Sequence, residues 1–257
     1  MPLHRLIPRF LEKVWGSPTL LPWFPNSTSK IGEVWLEAPS GQPMPLLLKF
    51  LFTTERLSVQ VHPGDAYARL HHQSNGKTEM WHILRADPGA QLALGLNQTL
   101  TAAELRADSE SGAIEGKLNW IDARPGETYF VPAGTIHAIG GGLAVCEIQQ
   151  QSDVTYRLYD YGRPRELHLD RGVEVSDLRK YSPPPAPVGC LAECAYFRTE
   201  RLVVEKGGAI PADPSRTFWL ICIEGPDAGQ GWQVDSGTDL IAIPLLGRGV
   251  FIKTFVP

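Results

Sequence analysis

One short segment carries polar side chains at the alternating positions of a predicted β-strand. Leu57–Pro63 reads Leu-Ser-Val-Gln-Val-His-Pro, and the alternation places Ser58, Gln60 and His62 on one face with apolar residues behind them. Imidazole is the commonest metal ligand among side chains, whereas an amide oxygen is a weaker one. His62 is therefore a candidate ligand and Gln60 a weaker candidate beside it. The alternative interpretation is an exposed strand face with an ordinary hydrogen-bonded histidine.

A second histidine ends a segment that is rich in turn-forming residues. In Gly126–His137, a β-type run at Thr128–Val131 is followed by Pro132 and Gly134, which predict a tight turn. His137 would then be the first residue of the next strand. From the residues alone, His137 is either a second candidate ligand or an incidental histidine after a turn.

A carboxylate lies between these two segments along the chain. Glu79 alternates with Trp81 and Ile83 and so shares their apolar strand face. A carboxylate in such a place is costly unless it is paired or binds a metal. Together with the two histidines and Gln60 it would form a nitrogen and oxygen site without thiolate. Such a set suits zinc, although ligand type alone leaves manganese, iron and cobalt open.

The elements that must position these residues are predicted to be short strands. The chain has 25 glycines and 22 prolines, which break helices and keep strands short. A capping box at Thr101–Glu104 predicts one short helix to about Ala107, and a second is expected over Gly112–Asn119. Many short strands separated by turns indicate an all-β sandwich or barrel. The predicted strands are Leu46–Thr53, Leu57–Val61, Glu79–Leu84, Gln91–Leu96, Thr128–Val131, Leu143–Ile148, Arg201–Glu205, Thr217–Ile223 and Leu240–Pro244.

A proline cluster suggests where the chain divides. Its 257 residues allow one large domain or two unequal ones. Ser182–Pro187 reads Ser-Pro-Pro-Pro-Ala-Pro, which favours a stiff, extended linker. We therefore expect a site-bearing domain over residues 1–181, a linker over 182–187 and a smaller β-rich domain over 188–257. No histidine falls in the last part.

Charge and cysteine content narrow the class of protein. A formal net charge of -4 argues against a dedicated nucleic-acid-binding protein. No apolar run approaches the length of a membrane span, and the N-terminus lacks the pattern of a secretory signal. Cysteines are too few for a disulfide framework and are expected to be free thiols in the cytoplasm. They are Cys146, Cys190, Cys194 and Cys222.

Several motifs, in order along the chain, closely resemble the type I phosphomannose isomerases in their short bacterial form. The G-x5-P-x-G-x2-H pattern ending at His137 also resembles the second half of the cupin metal motif. The resemblance implies a cupin jelly-roll barrel with few short helices and a smaller, partly cupin-like C-terminal domain. It implies one zinc ion per chain, a phosphosugar substrate and the interconversion of mannose 6-phosphate and fructose 6-phosphate. The motifs lie at Lys13–Gly16, Ile31–Trp35, Leu57–Pro63, Gly76–Glu79, Val131–Ala138, Glu147–Gln149 and Tyr156–Arg163.

The resemblance also implies roles for individual residues. The implied zinc ligands are Gln60, His62, Glu79 and His137. Residues in catalytic positions are Lys77, Arg157 and Asp153, with Glu147 as a further candidate for the base. Residues in the phosphate position are Ser58 and Arg163.

Other interpretations stay open at this point. A cupin oxygenase would use iron at a similar site and would not need phosphate-binding residues. A non-catalytic phosphosugar-binding cupin would keep the ligands but tolerate loss of Lys77 or Arg157. Lys77 could be a solvated loop lysine, and Arg157 and Arg163 could belong to a surface ion-pair cluster with Asp160. The oligomeric state cannot be predicted from this sequence.

Overall fold

The computed structural model describes residues 3–205, 208, 210–211, 213–237, 240–241 and 248–257, and within these it is mostly β. The strands up to Phe52 are β1 (Leu3–Arg5), β2 (Ile7–Ser17), β3 (Ile31–Glu37) and β4 (Leu46–Phe52). The next are β5 (Val59–Val61), β6 (Glu79–Ala86), β7 (Gln91–Leu96), β8 (Leu118–Asp122), β9 (Thr128–Val131), β10 (His137–Ile139), β11 (Leu143–Gln150) and β12 (Tyr156–Tyr159). The last are β13 (Ala192–Glu193), β14 (Arg198–Val204), β15 (Ile210–Pro211), β16 (Phe218–Glu224), β17 (Gly231–Val234), β18 (Leu240–Ile241) and β19 (Gly249–Phe255).

The predicted all-β class is confirmed, and most of the predicted strands are present with shifted ends. The ninth predicted strand, Leu240–Pro244, is described only at Leu240–Ile241, and its remaining residues lie outside the described part of the chain. Strand β2 was not predicted, because Pro8 and several charged residues give it a low β-propensity. Its place at the edge of the β2-β3-β4 ladder tolerates such residues.

Three helices are present in the described residues: α1 (Asp65–His72), α2 (Ala102–Ser111) and α3 (Leu169–Val175). The predicted capping box of α2 is confirmed, since the Thr101 hydroxyl accepts from the Glu104 N–H and the Glu104 carboxylate accepts from the Thr101 N–H. The predicted helix Gly112–Asn119 is instead a 3-10 turn at Ala113–Lys117 followed by β8. Gly112 adopts a φ of 82°, which ends the helix.

Two compact units make up the chain, and the proline cluster marks one boundary between them. One unit spans Thr53–Pro185, and the other combines the chain up to Phe52 with the chain from Ala186 onward. The expected division placed the N-terminal residues with the site instead. They lie with the C-terminal segment because β1 pairs antiparallel with β17 and the Leu6 N–H donates to the Gly231 carbonyl. That residues 1–181 form a domain of their own stays a prediction.

The Thr53–Pro185 unit contains the predicted site residues. One antiparallel sheet has the strand order β12-β5-β10-β7-β8, and a second ladder has the order β11-β6-β9. One face of the five-stranded sheet carries the apolar core, in which Val59, Val61 and Leu158 pack with Leu105 of α2. The opposite face is therefore free to carry polar side chains toward the second ladder.

The other unit is built on a separate apolar core. Its larger sheet has the order β1-β17-β16-β19-β14-β13, and residues such as Phe218, Phe251 and Val234 are fully buried there. The predicted strands Arg201–Glu205 and Thr217–Ile223 correspond to β14 and β16 of this sheet. Among the described residues, no helix has the length and apolar character needed to cross a membrane.

Candidate metal centre

Two histidines and a carboxylate converge in the interior of the Thr53–Pro185 unit. One potential ligand atom from each of His62, Glu79 and His137 lies within 4.8 Å of the others. Glu79 lies between the two imidazoles: its Oε2 is 3.7 Å from His62 Nε2, and its Oε1 is 3.4 Å from His137 Nε2. All three side chains are buried. The structure thus brings together the three candidate ligands with the strongest sequence support.

The strand register explains how residues 75 positions apart along the chain meet. His137 of β10 lies directly opposite Gln60 of β5, so both side chains are on one face of the five-stranded sheet. Glu79 is the first residue of β6 in the second ladder. The predicted turn before His137 is present, and the Gly134 N–H donates to the His62 carbonyl at 2.8 Å. Gly134 has a φ of 88°, a conformation that favours glycine, so this turn locks the two histidine strands together.

Backbone carbonyls orient both imidazole rings. His62 Nδ1 lies 3.1 Å from the Val154 carbonyl, and His137 Nδ1 lies 2.8 Å from the Thr135 carbonyl. A carbonyl oxygen can only accept, so each Nδ1 carries a proton and each Nε2 is the ring nitrogen that faces Glu79. Burial lowers the pKa of His137 to about 4, which keeps this ring neutral at physiological pH. Neutral imidazoles are the form that binds metals.

Gln60 lies beside the three converging groups. Its Nε2 is 3.2 Å from His137 Nε2, and its Oε1 accepts from the Ser58 hydroxyl at 3.3 Å. An amide nitrogen does not coordinate metals, so Gln60 would have to turn its oxygen toward the centre to serve as a ligand. Its placement agrees with the expected fourth position, and its role there stays a prediction.

The donors and acceptors at the centre fit a divalent cation. Glu79 Oε2 is buried and makes no hydrogen bond to any described residue. The Nε2 atoms of both imidazoles face the same carboxylate. A cation among these groups could bind to all three, and the Lys77 ammonium, 3.6 Å from Glu79 Oε2, already pairs with the carboxylate as a positive charge. The nitrogen and oxygen ligands and the absence of thiolate suit zinc.

Two further charges lie in the same interior. Lys77 is 5% exposed, and its ammonium nitrogen is 3.6 Å from Glu79 Oε2, so it is not a solvated loop lysine. Glu147 is buried on β11, directly opposite Trp81 of β6. Because Trp81 and Glu79 share a strand face, Glu147 faces the same interior.

Arg157 is also on the site face, whereas Asp153 is at the surface. Arg157 of β12 lies opposite Gln60 in the sheet, and its Nη1 donates to the Glu166 carbonyl at 2.7 Å. Burial lowers the pKa of Arg157, yet a guanidinium stays charged at neutral pH. Asp153 lies in the loop between β11 and β12 and is exposed.

The two residues expected at the phosphate position are engaged in contacts within the protein. Arg163 donates from Nε and Nη2 to Asp160 Oδ1, at 3.1 and 2.7 Å, and Arg165 donates to the same buried carboxylate. This arrangement favours the ion-pair cluster for Arg163. Ser58 is buried, with its hydroxyl on Gln60. Phosphate binding by either residue stays a prediction.

One residue in contact with the site was not singled out from the sequence. His168 Nδ1 accepts from the Arg157 backbone N–H at 3.1 Å. No periodicity or motif indicates this contact, because it depends on how the loop between β12 and α3 folds back onto β12.

The Thr53–Pro185 unit has a candidate metal site between two antiparallel β-layers, which is the architecture of a cupin. No protein-family profile matches the chain. The chain is 34% identical over 270 residues to the mannose-6-phosphate isomerase ManA of Bacillus subtilis, covering 84% of this chain and 83% of that protein. The crystal structure of the mannose 6-phosphate isomerase from Bacillus subtilis superposes with a TM-score of 0.85 at 26% identity, covering 99% of each chain. A zinc-bound mannose 6-phosphate isomerase shares the fold, with a TM-score of 0.69 at 14% identity over the full length of both chains. The chain belongs to the type I mannose-6-phosphate isomerase family.

Proposed function

We propose that this chain interconverts mannose 6-phosphate and fructose 6-phosphate at the His62–Glu79–His137 centre. The observation that carries the proposal is the buried Glu79, held between two imidazoles with the Lys77 ammonium 3.6 Å away. Family membership supports the reaction, because the relative aligned over most of the chain carries the name of that enzyme. The site supplies the permanent and titratable charges that an aldose–ketose isomerisation requires.

The metal is proposed to be zinc, one ion per chain, held by His62, Glu79, His137 and the Gln60 amide oxygen. When bound, zinc supplies a Lewis acid that stabilises negative charge on a sugar oxygen. The ligand types and the zinc-bound relative support this choice. Glu79 is the one charged ligand, so this set would leave a net positive charge at the centre.

The isomerisation moves a proton between C1 and C2 of the open-chain sugar through an enediol-type intermediate. Lys77 Nζ is buried within the site and can donate to a sugar oxygen or shuttle a proton to it. Arg157 cannot lose its proton at working pH, so its guanidinium orients the sugar and stabilises developing negative charge.

Glu147 is the better placed of the two candidate bases. Its carboxylate is buried in the interior that contains Glu79, whereas Asp153 is exposed in a loop. A buried carboxylate can take a carbon-bound proton without competition from water. We therefore assign proton transfer between C1 and C2 to the Glu147 carboxylate and leave Asp153 a role at the entrance, in ring opening.

A coupled assay on mannose 6-phosphate tests the proposal. Purified protein is measured before and after a chelator and again with zinc added back, and the metal content of the same sample is determined. We expect fructose 6-phosphate to form, to stop with the chelator and to return with zinc. Absence of turnover with zinc bound would refute the isomerase and favour a binding protein. Bound iron without isomerisation would favour the oxygenase.

The compartment is proposed to be the cytoplasm. All four cysteines are free thiols, and two of them, Cys146 and Cys222, are buried. Burial raises the pKa of both thiols, so they are unreactive. Free thiols of this kind are typical of reducing compartments.

A further inference from the structure

Arg157 lies on an edge strand, and a returning loop completes its hydrogen bonding there. Strand β12 is at the end of the order β12-β5-β10-β7-β8, with β5 on one side. On the other side, the His168 N–H donates to the Arg157 carbonyl at 2.7 Å. The Arg157 N–H in turn donates to the His168 imidazole at 3.1 Å. Both backbone hydrogen-bonding groups of Arg157 are thus engaged by His168.

The acceptor for the Arg157 N–H is a side chain. Accepting at Nδ1 requires the proton of the imidazole to be on Nε2, so His168 must be neutral and in that tautomer. Burial, followed by the charge of Arg157, lowers the pKa of His168 and favours the neutral form. A residue without an acceptor at this position would leave the N–H to water or without a partner.

The same loop also holds the guanidinium group. Arg157 Nη1 donates to the Glu166 carbonyl at 2.7 Å, two residues before His168. Arg157 Nε is buried and makes no hydrogen bond within the part of the chain described. The guanidinium is therefore oriented by a neutral carbonyl and keeps its full charge for a substrate.

Asp160 fixes the conformation of the loop between β12 and α3. Its carboxylate is 2% exposed and accepts from Arg163 Nη2 at 2.7 Å and from Arg165 Nη2 at 2.6 Å. Arg165 directly precedes Glu166, so this buried ion-pair cluster sets the position of the Glu166 carbonyl. A buried, multiply bonded carboxylate of this kind gives a loop one conformation.

We propose that His168 is a positioning residue for Arg157. Its imidazole fixes the Arg157 backbone, the Glu166 carbonyl two residues earlier fixes the guanidinium, and together they keep that group on the face of the sheet that carries Gln60 and His137. The proposal rests on the role assigned to Arg157 in the proposed isomerisation. It gives the loop between β12 and α3 a function that the sequence motifs alone do not contain.

A double-mutant cycle tests this assignment in the zinc-loaded enzyme. We expect His168→Ala to lower kcat about tenfold, the effect of losing about one hydrogen bond in the transition state, with zinc content unchanged. His168→Asn places an amide oxygen where Nδ1 was and should restore kcat to within about threefold of the wild type. In an Arg157→Lys background, His168→Ala should cause no further fall, because its effect passes through Arg157. His4→Ala, at a half-exposed histidine paired with Asp235, is the matched control and should leave kcat unchanged.

Each arm of the cycle can contradict the proposal. An unchanged kcat in His168→Ala, equal losses in the two Arg157 backgrounds, or no rescue by His168→Asn would overturn it. If His168→Ala does not fold, His168→Leu, which keeps much of the side-chain volume and offers no hydrogen-bond acceptor, takes its place in the same cycle. A wild-type enzyme without isomerase activity would contradict the proposed function instead, and the two failures are therefore distinguishable.

Discussion

Replacing the Glu79 carboxylate by its amide distinguishes its two roles, as the ion-pair partner of Lys77 and as a proposed metal ligand. Glu79→Gln keeps the size and shape of the side chain and removes its charge. In the metal-free protein, the change removes the partner of a buried ammonium, since Lys77 Nζ lies 3.6 Å from Glu79 Oε2. In the metal-loaded protein, it removes the one charged ligand of the proposed site.

The size of the first effect follows from the distance. At an effective dielectric constant of about 20, unit charges 3.6 Å apart attract by about 5 kcal/mol. Desolvation of the two groups offsets part of this attraction, and removing one member of a buried pair costs about 3–5 kcal/mol. The metal-free variant should therefore have a free energy of unfolding about 3 kcal/mol lower than the wild type. This is a large fraction of the stability of an ordinary domain.

The second effect is measured by urea unfolding with and without zinc, with tryptophan fluorescence as the signal. A ligand that binds only the folded state adds about 4 kcal/mol of stability at a concentration about 1,000 times its Kd. We expect this zinc-dependent gain in the wild type. In Glu79→Gln the gain should be less than about 1 kcal/mol, because the amide is a weak, uncharged ligand. Glu147→Gln is the matched control: it neutralises a buried carboxylate that is not a proposed ligand and should keep the zinc-dependent gain. An equal gain in Glu79→Gln and the wild type would refute the metal assignment.

Three other predictions concern single residues. His137→Ala should lose zinc and isomerase activity together, which metal analysis and the coupled assay check; normal turnover with stoichiometric zinc would contradict it. Arg157→Ala should keep zinc and lower kcat strongly, and an unchanged rate would remove Arg157 from the mechanism. Burial raises the pKa of Glu33, but Lys49 and Lys13 outweigh it and hold the pKa at about 2. Because this pKa is below that of the unfolded chain, Glu33 contributes about 3 kcal/mol above pH 4.5, which is lost as pH falls toward 2. Glu33→Gln should therefore weaken the pH dependence of the free energy of unfolding, measured by urea, in that range. An unaltered pH dependence would argue against the ion pairs of Glu33 with Lys49 and Lys13.

The three candidate metal ligands could be predicted because each has a local signal. His62 follows a strand alternation, Glu79 is a charge on an apolar face, and His137 follows a glycine and proline turn. The structure confirms that the three side chains converge. Their convergence requires only that neighbouring strands bring those faces together, which a barrel of short antiparallel strands does.

The surroundings of the centre could not be predicted in the same way. Arg163 has the residue type expected for phosphate, yet a buried carboxylate three residues earlier accepts hydrogen bonds from its Nε and Nη2. Likewise, the first 52 residues lie with the C-terminal segment through the pairing of β1 with β17, about 230 positions away. Both outcomes depend on which partners the fold supplies, and local patterns carry no information about those partners.

The charges of the described interior balance in a way that depends on the metal. Lys77 and Arg157 carry two positive charges, and Glu79 and Glu147 carry two negative charges when ionised. Without a metal these groups cancel, and a divalent cation would leave an excess of two positive charges. A sugar phosphate carries close to two negative charges, so the metal-loaded site matches its substrate where the metal-free site does not. The proposed zinc ion would then serve both the chemistry at the sugar carbons and the attraction of the phosphosugar itself.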